Sequence, residues 1–363
     1  MPALRASRDA GFSLIELLGA LALTMVVTGA ATGFIHHASS AASAQPAAAD
    51  VHQRARVAAD VLFRDLVQAG AGIESDAAAG SLARFLPPVM PRRIGLRGAD
   101  TADTARADVV TVLSVPAGSP QSRLSAPLGA GSSMLMLTAQ AQCATGRPLC
   151  GLVASDTALA VNPSGHFGLF ELLSVGPGAG QTRELDAAPA HAFQPGDHVA
   201  ASRVRVYYHD AARRQLRAYD ANQSDLPVVD DVGGLSGSVA GDPAPPSWPR
   251  PEPGTANCLY DDSGAAIPGL VDLRVPGGGS IVPLPLGLFR DGPWCGQGGL
   301  RYDVDLMRVR RVMIEVRLQA GRDALRGTGT AYAVAGTSTS GLRAAPDFAL
   351  HFDVAPVNLQ VVR

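Results

Sequence analysis

The sequence predicts an α+β protein: one long, apolar N-terminal helix followed by a mainly antiparallel β-sheet head with long Gly/Pro-rich loops. Three observations carry this. Leu17 to Ala49 is a run of 33 residues without Asp, Glu, Lys or Arg. Val51, Ala55, Ala58, Leu62, Leu66 and Ala69 then recur at steps of three and four, the spacing of one buried helical face. Beyond Ile73, short runs of strand composition alternate with connectors drawn from 40 Gly and 27 Pro in 363 residues, too few for a collagen-like or disordered chain.

Taken in order, Met1 to Gly11 is a short basic leader carrying Arg5 and Arg8 against Asp9. Phe12 to Ile35 follows, 24 residues whose only ionisable side chain is Glu16. As a helix it spans about 36 Å at ~1.5 Å per residue, enough for a bilayer core of about 30 Å. It exceeds the apolar core of about 7–15 residues found in a secretory signal. Positive charge ahead of it places the N-terminus in the cytoplasm and exports the rest. An acid inside such a segment is costly and marks function. The helix is expected to continue through the amphipathic stretch and to end at Gly70 and Gly72. Pro46, which lacks an amide donor, is expected to kink or interrupt it.

The run Gly11-Phe12-Ser13-Leu14-Ile15-Glu16-Leu17-Leu18 resembles the cleavage and methylation site of type IV prepilins and pseudopilins. The resemblance implies that a prepilin peptidase cuts between Gly11 and Phe12 and N-methylates Phe12. It further implies that Glu16 pairs with a buried N-terminal amine, of a neighbouring subunit, as a filament grows. Such an amine among apolar helices needs an opposite charge. Gln53 to Gly72, with Arg54, Leu62, Arg64, Asp65, Leu66 and Ala69, is similar to the helix end of the large PilW-like minor pilins and of the J-type pseudopilins.

The resemblance thereby divides the chain into a leader (1–11), a transmembrane and filament-core helix (12–36), an amphipathic periplasmic extension (37–72) and a β-rich head (73–363). It implies a single-pass protein of the bacterial inner membrane, later part of a pilus or pseudopilus. The implied partners are prepilin peptidase, other major and minor pilins and the assembly platform of the inner membrane. A minor pilin of pilus initiation or of the tip is the expected role. The alternatives are a J-type pseudopilin of type II secretion, whose heads tend to be smaller, and, more distantly, a membrane-anchored periplasmic enzyme or binding module.

Within the head, strand composition marks Asp108–Val115, Ser133–Thr138, Gly168–Val175, His198–Tyr208, Gln215–Tyr219, Val309–Gln319, Phe348–Val354 and Asn358–Val362. In the sixth, Val312, Ile314, Val316 and Leu318 alternate with Met313, Glu315 and Arg317, as in a half-buried antiparallel strand. Pro243 to Pro253 holds six prolines in eleven residues and must be extended. The cysteines are Cys143, Cys150, Cys258 and Cys295. In an oxidising compartment they form two disulfides, with three pairings open. Nearness in sequence favours Cys143–Cys150 and Cys258–Cys295, contributing ~2.5 and ~3.9 kcal/mol on a loop-entropy model. The second loop encloses Pro276 to Gly287, a glycine-rich segment expected to form little core, and resemblance to pilins makes it a partner-facing surface.

No enzyme is expected. The chain has 30 basic residues and all are Arg, which excludes a Walker A, Schiff-base or kinase lysine. Its eight His show no metalloprotease spacing, its Cys no C-x2-C pair, and no nucleophile elbow is present, so neither cofactor nor metal is expected. Asp261-Asp262-Ser263-Gly264 reads as an acidic turn, with Ca²⁺ the lesser alternative. A formal charge of −2 offers nucleic acid no attraction.

Overall fold

The computed structural model describes residues 13–363 except positions 74–79, 102–103, 130, 139–142, 144–146, 186–191, 252, 255, 258, 267–271, 291–293, 296–301, 340 and 361–363. It has the long helix and antiparallel sheets of the expected α+β class. Helix α1 is Leu14–Val67. The strands are β1 (Val89–Met90), β2 (Val109–Ser114), β3 (Gln121–Arg123), β4 (Met134–Met136), β5 (Thr157–Val161), β6 (Phe167–Gly176), β7 (Ala179–Glu184), β8 (His198–Asp210), β9 (Gln215–Tyr219), β10 (Asp225–Asp230), β11 (Val232–Gly241), β12 (Val282–Leu284), β13 (Trp294–Cys295), β14 (Tyr302–Asp303), β15 (Val309–Leu318) and β16 (Phe348–Val354). A final turn of helix, α2, is Val357–Gln360. Every described strand pair is antiparallel.

The chain divides into two compact units, residues 1–50 with 320–346, and 51–319 with 347–363. In the first, α1 runs unbroken through Pro46, contrary to the expected interruption. One lost amide bond is tolerated here because the flanks, Ala41 to Ala44 and Ala47 to Ala49, are mostly alanine, the strongest helix former. Residues 320–346 of the same unit are knit by backbone bonds around the buried Arg326. Ser338 N donates to Arg326 O (3.0 Å), Thr337 N to Asp323 O (2.9 Å), and the Arg326 guanidinium pairs with Asp323.

In the second unit the helical stripe does what its spacing predicts. Val51, Ala55, Ala58, Leu62, Leu66 and Ala69 are all buried in the main core, with β2, β8 and β15. Val312, Ile314, Val316 and Leu318 of β15 join them while Glu315 is exposed, so the alternation also holds. β15 lies between β11 and β16 in a four-stranded sheet, β12-β11-β15-β16.

Strand β8 is the hinge of the topology. Its second half, Arg203–Asp210, pairs with β2 and β9. Its first half, His198–Ser202, pairs with β5 on one side and β3 on the other. From β5 the ladder continues through β6 and β7 to β4. The chain then closes on itself: Leu124, just past β3, bridges Leu137, just past β4, and Ser125 N donates to Met136 O (3.0 Å). The result is a small closed barrel inserted between β2 and the second half of β8. Leu124, Leu128, Leu135, Leu137, Phe170, Leu172, Phe193 and Val199 are among the side chains of its own core. Two-residue periodicity divides each wall: Ala158 and Ala160 face that core, while Leu159 and Val161 belong to the main one.

One further expectation is corrected. Asn358–Val362 is not a strand over its described part; Val357–Gln360 is helical, begun by Pro356, whose carbonyl accepts from Leu359 N (3.1 Å). Pro just before the first turn has no amide to lose. The segment Pro276 to Gly287 forms little core, as expected, with Leu284 its one buried residue. Its glycines make the turn, and Val282–Leu284 pairs with β11, with Pro283 tolerated on an edge strand.

Phe170→Ala empties the middle of the barrel and is expected to cost about 3–5 kcal/mol. Amide hydrogen exchange should accelerate across β5, β6 and β7 far more than across β15 and β16; uniform acceleration would mean that the barrel has no separate core.

Candidate functional site

The N-terminal site begins at the first turn of α1. Gly11 and Phe12 lie outside the described residues. Ser13 and Glu16 form a reciprocal capping box. Glu16 N donates to Ser13 Oγ (3.2 Å), while Ser13 N and Ser13 Oγ both donate to Glu16 Oε2 (3.0 Å each). The pattern Ser-x-x-Glu ahead of an apolar run is the sequence signal for such a cap, and it assigns Ser13 a part that the cleavage motif alone does not. A carboxylate in the first turn also faces the positive end of the helix dipole.

Past this cap the helix offers its own chain nothing to bury. Leu14 and Ile15 are each 78% exposed, Phe34 75%. An 18-residue window of mean hydropathy 2.0 is wholly unburied, so by length and composition the helix can cross a membrane. Thr24 and Thr32 turn their hydroxyls back onto the carbonyls of Ala20 and Thr28, at 2.7 and 2.6 Å, which hides polar groups that hydrocarbon would not solvate. A Cβ added at Gly19, Gly29 or Gly33 would meet nothing within 4 Å. Those positions are open to close approach by another helix.

The other end of α1 is riveted to the sheets by two polar side chains. Arg54 donates to the carbonyls of Asp230 (2.7 Å) and Gln319 (3.0 Å) and pairs with Asp231. Tyr207 of β8 donates to Asp65 Oδ2 at 2.5 Å. Burial, and after it the hydrogen bond to this carboxylate, pushes the Tyr207 phenol far above its ordinary value near 10. Past the helix end, Gly70 takes φ 75°, and the short helix α2 closes over it: Ser81 Oγ donates to Asn358 O (2.6 Å) and Asn358 Nδ2 to Ala69 O (3.4 Å).

Cys143 and Cys150 form a disulfide, Cα to Cα 4.4 Å, against the barrel. Cys258 lies outside the described residues, so its pairing with Cys295 of β13 stays an expectation. Asp261 Oδ1 accepts from Ser263 N, Ser263 Oγ and Ala265 N (3.0, 2.6 and 2.9 Å), an acidic turn closed on itself. Those bonds, the hydroxyl first, hold its carboxyl below the usual range. Among the described residues no three His, Cys, Asp or Glu side chains come together as a metal site.

A helix of this kind, capped by a Ser-Glu box, apolar and unburied along its first half and packed on antiparallel sheets along its second, is the plan of a type IV pilin-like protein. The profile of the prokaryotic N-terminal methylation motif matches residues 6–32 and supports that class, which comprises pilins and pseudopilins. No curated protein and no solved structure matches the chain significantly.

Ser13→Ala should cost about 1 kcal/mol of helix stability at this terminus. Amide exchange at Ile15, Glu16 and Leu17 in micelles should speed several-fold, with residues beyond Thr24 unchanged. Tyr207 gives a pH test. Its stabilising contribution is whole below pH ~10, where the phenol is neutral folded or unfolded, and is lost as pH rises beyond it, because the unfolded chain releases the proton first. Tyr207→Phe should therefore flatten the fall of stability above pH ~10 and remove one tyrosine that ionises above that pH in an ultraviolet titration.

Proposed function

We propose that this chain is a minor pilin of the PilW-like class, a structural subunit acting in initiation or at the tip of a type IV pilus. It waits in the inner membrane with its N-terminus cytoplasmic and its β-rich part periplasmic. Prepilin peptidase hydrolyses the Gly11–Phe12 peptide bond and methylates the Phe12 amine. The assembly platform then moves the subunit into a filament of major and minor pilins. The role is structural rather than catalytic.

The observation that best supports this reading is the methylation motif over residues 6–32, joined without a gap to an unburied apolar helix. Glu16 is suited to its part. Its carboxylate already sits 3.0 Å from the backbone nitrogen of Ser13, one residue from the amine that cleavage would create. In the membrane it can balance that amine and cap its own helix. In a filament the same carboxylate pairs with the amine of a neighbouring subunit, which fixes the axial register between them. The 363-residue length favours a pilus subunit over the smaller pseudopilins.

Mass spectrometry of the mature chain should find N-methylated Phe12 as its first residue; an intact Met1 or another cleavage point overturns the processing. Glu16→Ala should still be cleaved but should lose most methylation or incorporation into filaments; normal methylation and assembly would refute its pairing. Deleting the gene should abolish or severely reduce twitching motility while leaving protein secretion intact. A pure secretion defect would instead make the chain a J-type pseudopilin.

A further inference from the structure

Between β11 and the disulfide-candidate loop, the chain runs as a proline-rich strap from Asp242 to Pro249, and its concave side is not filled by the protein. The strap is held at both ends. The fully buried Arg308, paired with the equally buried Asp305 at 2.8 Å, donates through Nε to Asp242 O (2.9 Å) and through Nη2 to Pro243 O (2.5 Å). Asp242 N returns a bond to Arg308 O (3.0 Å). At the far end Tyr260 Oη donates to Ser247 O (3.1 Å) and Asn257 Nδ2 to Pro249 O (2.8 Å). Prolines at 243, 245, 246 and 249 stiffen the span between. A cavity of about 320 Å³ is left open beneath it, lined by Asp242, Pro245, Trp248, Ser280, Met307 and Arg310, with others of the strap.

We propose that this cavity is a carbohydrate site that takes one neutral pyranose ring. Size limits the ligand first: 320 Å³ lies at the low end for small-molecule sites, room for a single ring. Charge limits it next. Arg308 is paired with Asp305 and Arg310 with Asp242 (2.6 Å), so the lining is balanced and favours neither an anion nor a cation. The remaining polar groups both donate and accept, since the hydroxyls of Ser247 and Ser280 can do either. Three of the strap's lining residues are prolines without an amide hydrogen, and Asp242 adds a carboxylate whose side chain is 32% exposed. A charge-balanced seat of mixed donors and acceptors suits a neutral ligand that both donates and accepts hydrogen bonds, as ring hydroxyls do. Trp248, 49% exposed, supplies an aromatic wall for the apolar C–H edge of such a ring. The indole is steadied by Arg250, whose guanidinium carbon lies 5.9 Å from its ring centre and 5.7 Å from that of Tyr260.

The test uses the full chain in a detergent without sugar headgroups. Saturation-transfer NMR is recorded with the methyl glycosides of glucose, galactose, mannose and N-acetylglucosamine. At least one should receive transfer, strongest at its ring C–H protons, and binding should weaken about tenfold or more in Trp248→Ala and in Ser280→Tyr, which fills the cavity from its exposed rim. Both positions are exposed, so both variants should fold, and unchanged dispersion of their amide spectra checks that. No transfer from any glycoside at about 10 mM, or transfer undiminished in both variants, overturns the proposal. So does preferential competition by acetate or ethylammonium, which would make the cavity an ion site.

Discussion

Burial of one narrow stripe on α1 is the constraint on which the second unit depends. Six residues, three of them alanine, place the helix against strands from both sheets. Alanine leaves the backbones close, and closeness lets shorter polar contacts work: Asp65 reaches the Tyr207 hydroxyl at 2.5 Å, and Arg54 spans to carbonyls at the ends of β10 and β15. The apolar stripe supplies most of the driving force, since burying each leucine is favourable by about 1.5–3 kcal/mol. The polar pairs fix azimuth and register, because an unpaired carboxylate or guanidinium there would cost its desolvation.

The same helix obeys two solvents. Between Leu14 and Ile35 its large side chains are unburied and the hydroxyls of Thr24 and Thr32 fold back on the backbone, the reverse of what water rewards. Beyond Asp50 one face is buried as an apolar stripe, and the other carries the Asp60–Arg64 pair beside the exposed Val57 and Phe63. The capping box sits at the start of the apolar stretch, where helix amides without an intrahelical partner need one. Glu16 satisfies part of that demand before any partner arrives, so the acid is useful in a lone subunit as well as in the proposed filament.

How much could be read beforehand depended on the range of each interaction. The α1 stripe and the alternation of β15 are local periodicities, and both matched residue by residue. The nearness of Cys143 and Cys150 was also local, and the pair is joined. The capping box was legible too, as Ser-x-x-Glu, but was masked by the stronger motif that contains it. Hidden features were those that depend on distant partners. β5, β7, β10 and β11 are Ala-, Gly- or Pro-interrupted runs whose strand state comes from pairing rather than propensity. Barrel closure rests on Leu124 meeting Leu137, and no spacing rule announces which strand ends will meet. At Pro46 and at Val357–Gln360 a local rule was outweighed by alanine-rich flanks and by a proline at the start of a turn.

The closure at the end of α1 has a consequence for the time order of folding. Ala69 O and the turn at Gly70 are covered by Asn358 and Leu359, nearly 290 positions later in the chain, and β15 must pair with β11 across some 70 intervening residues. If the residues after the apolar helix emerge in sequence order, the sheet-binding stripe of α1 is exposed long before the residues that complete its cover. Native closure is therefore a late event, with high contact order and slow assembly. Until then the stripe is an open hydrophobic surface, and a chaperone or a neighbouring subunit that shields it would act on the newborn molecule alone.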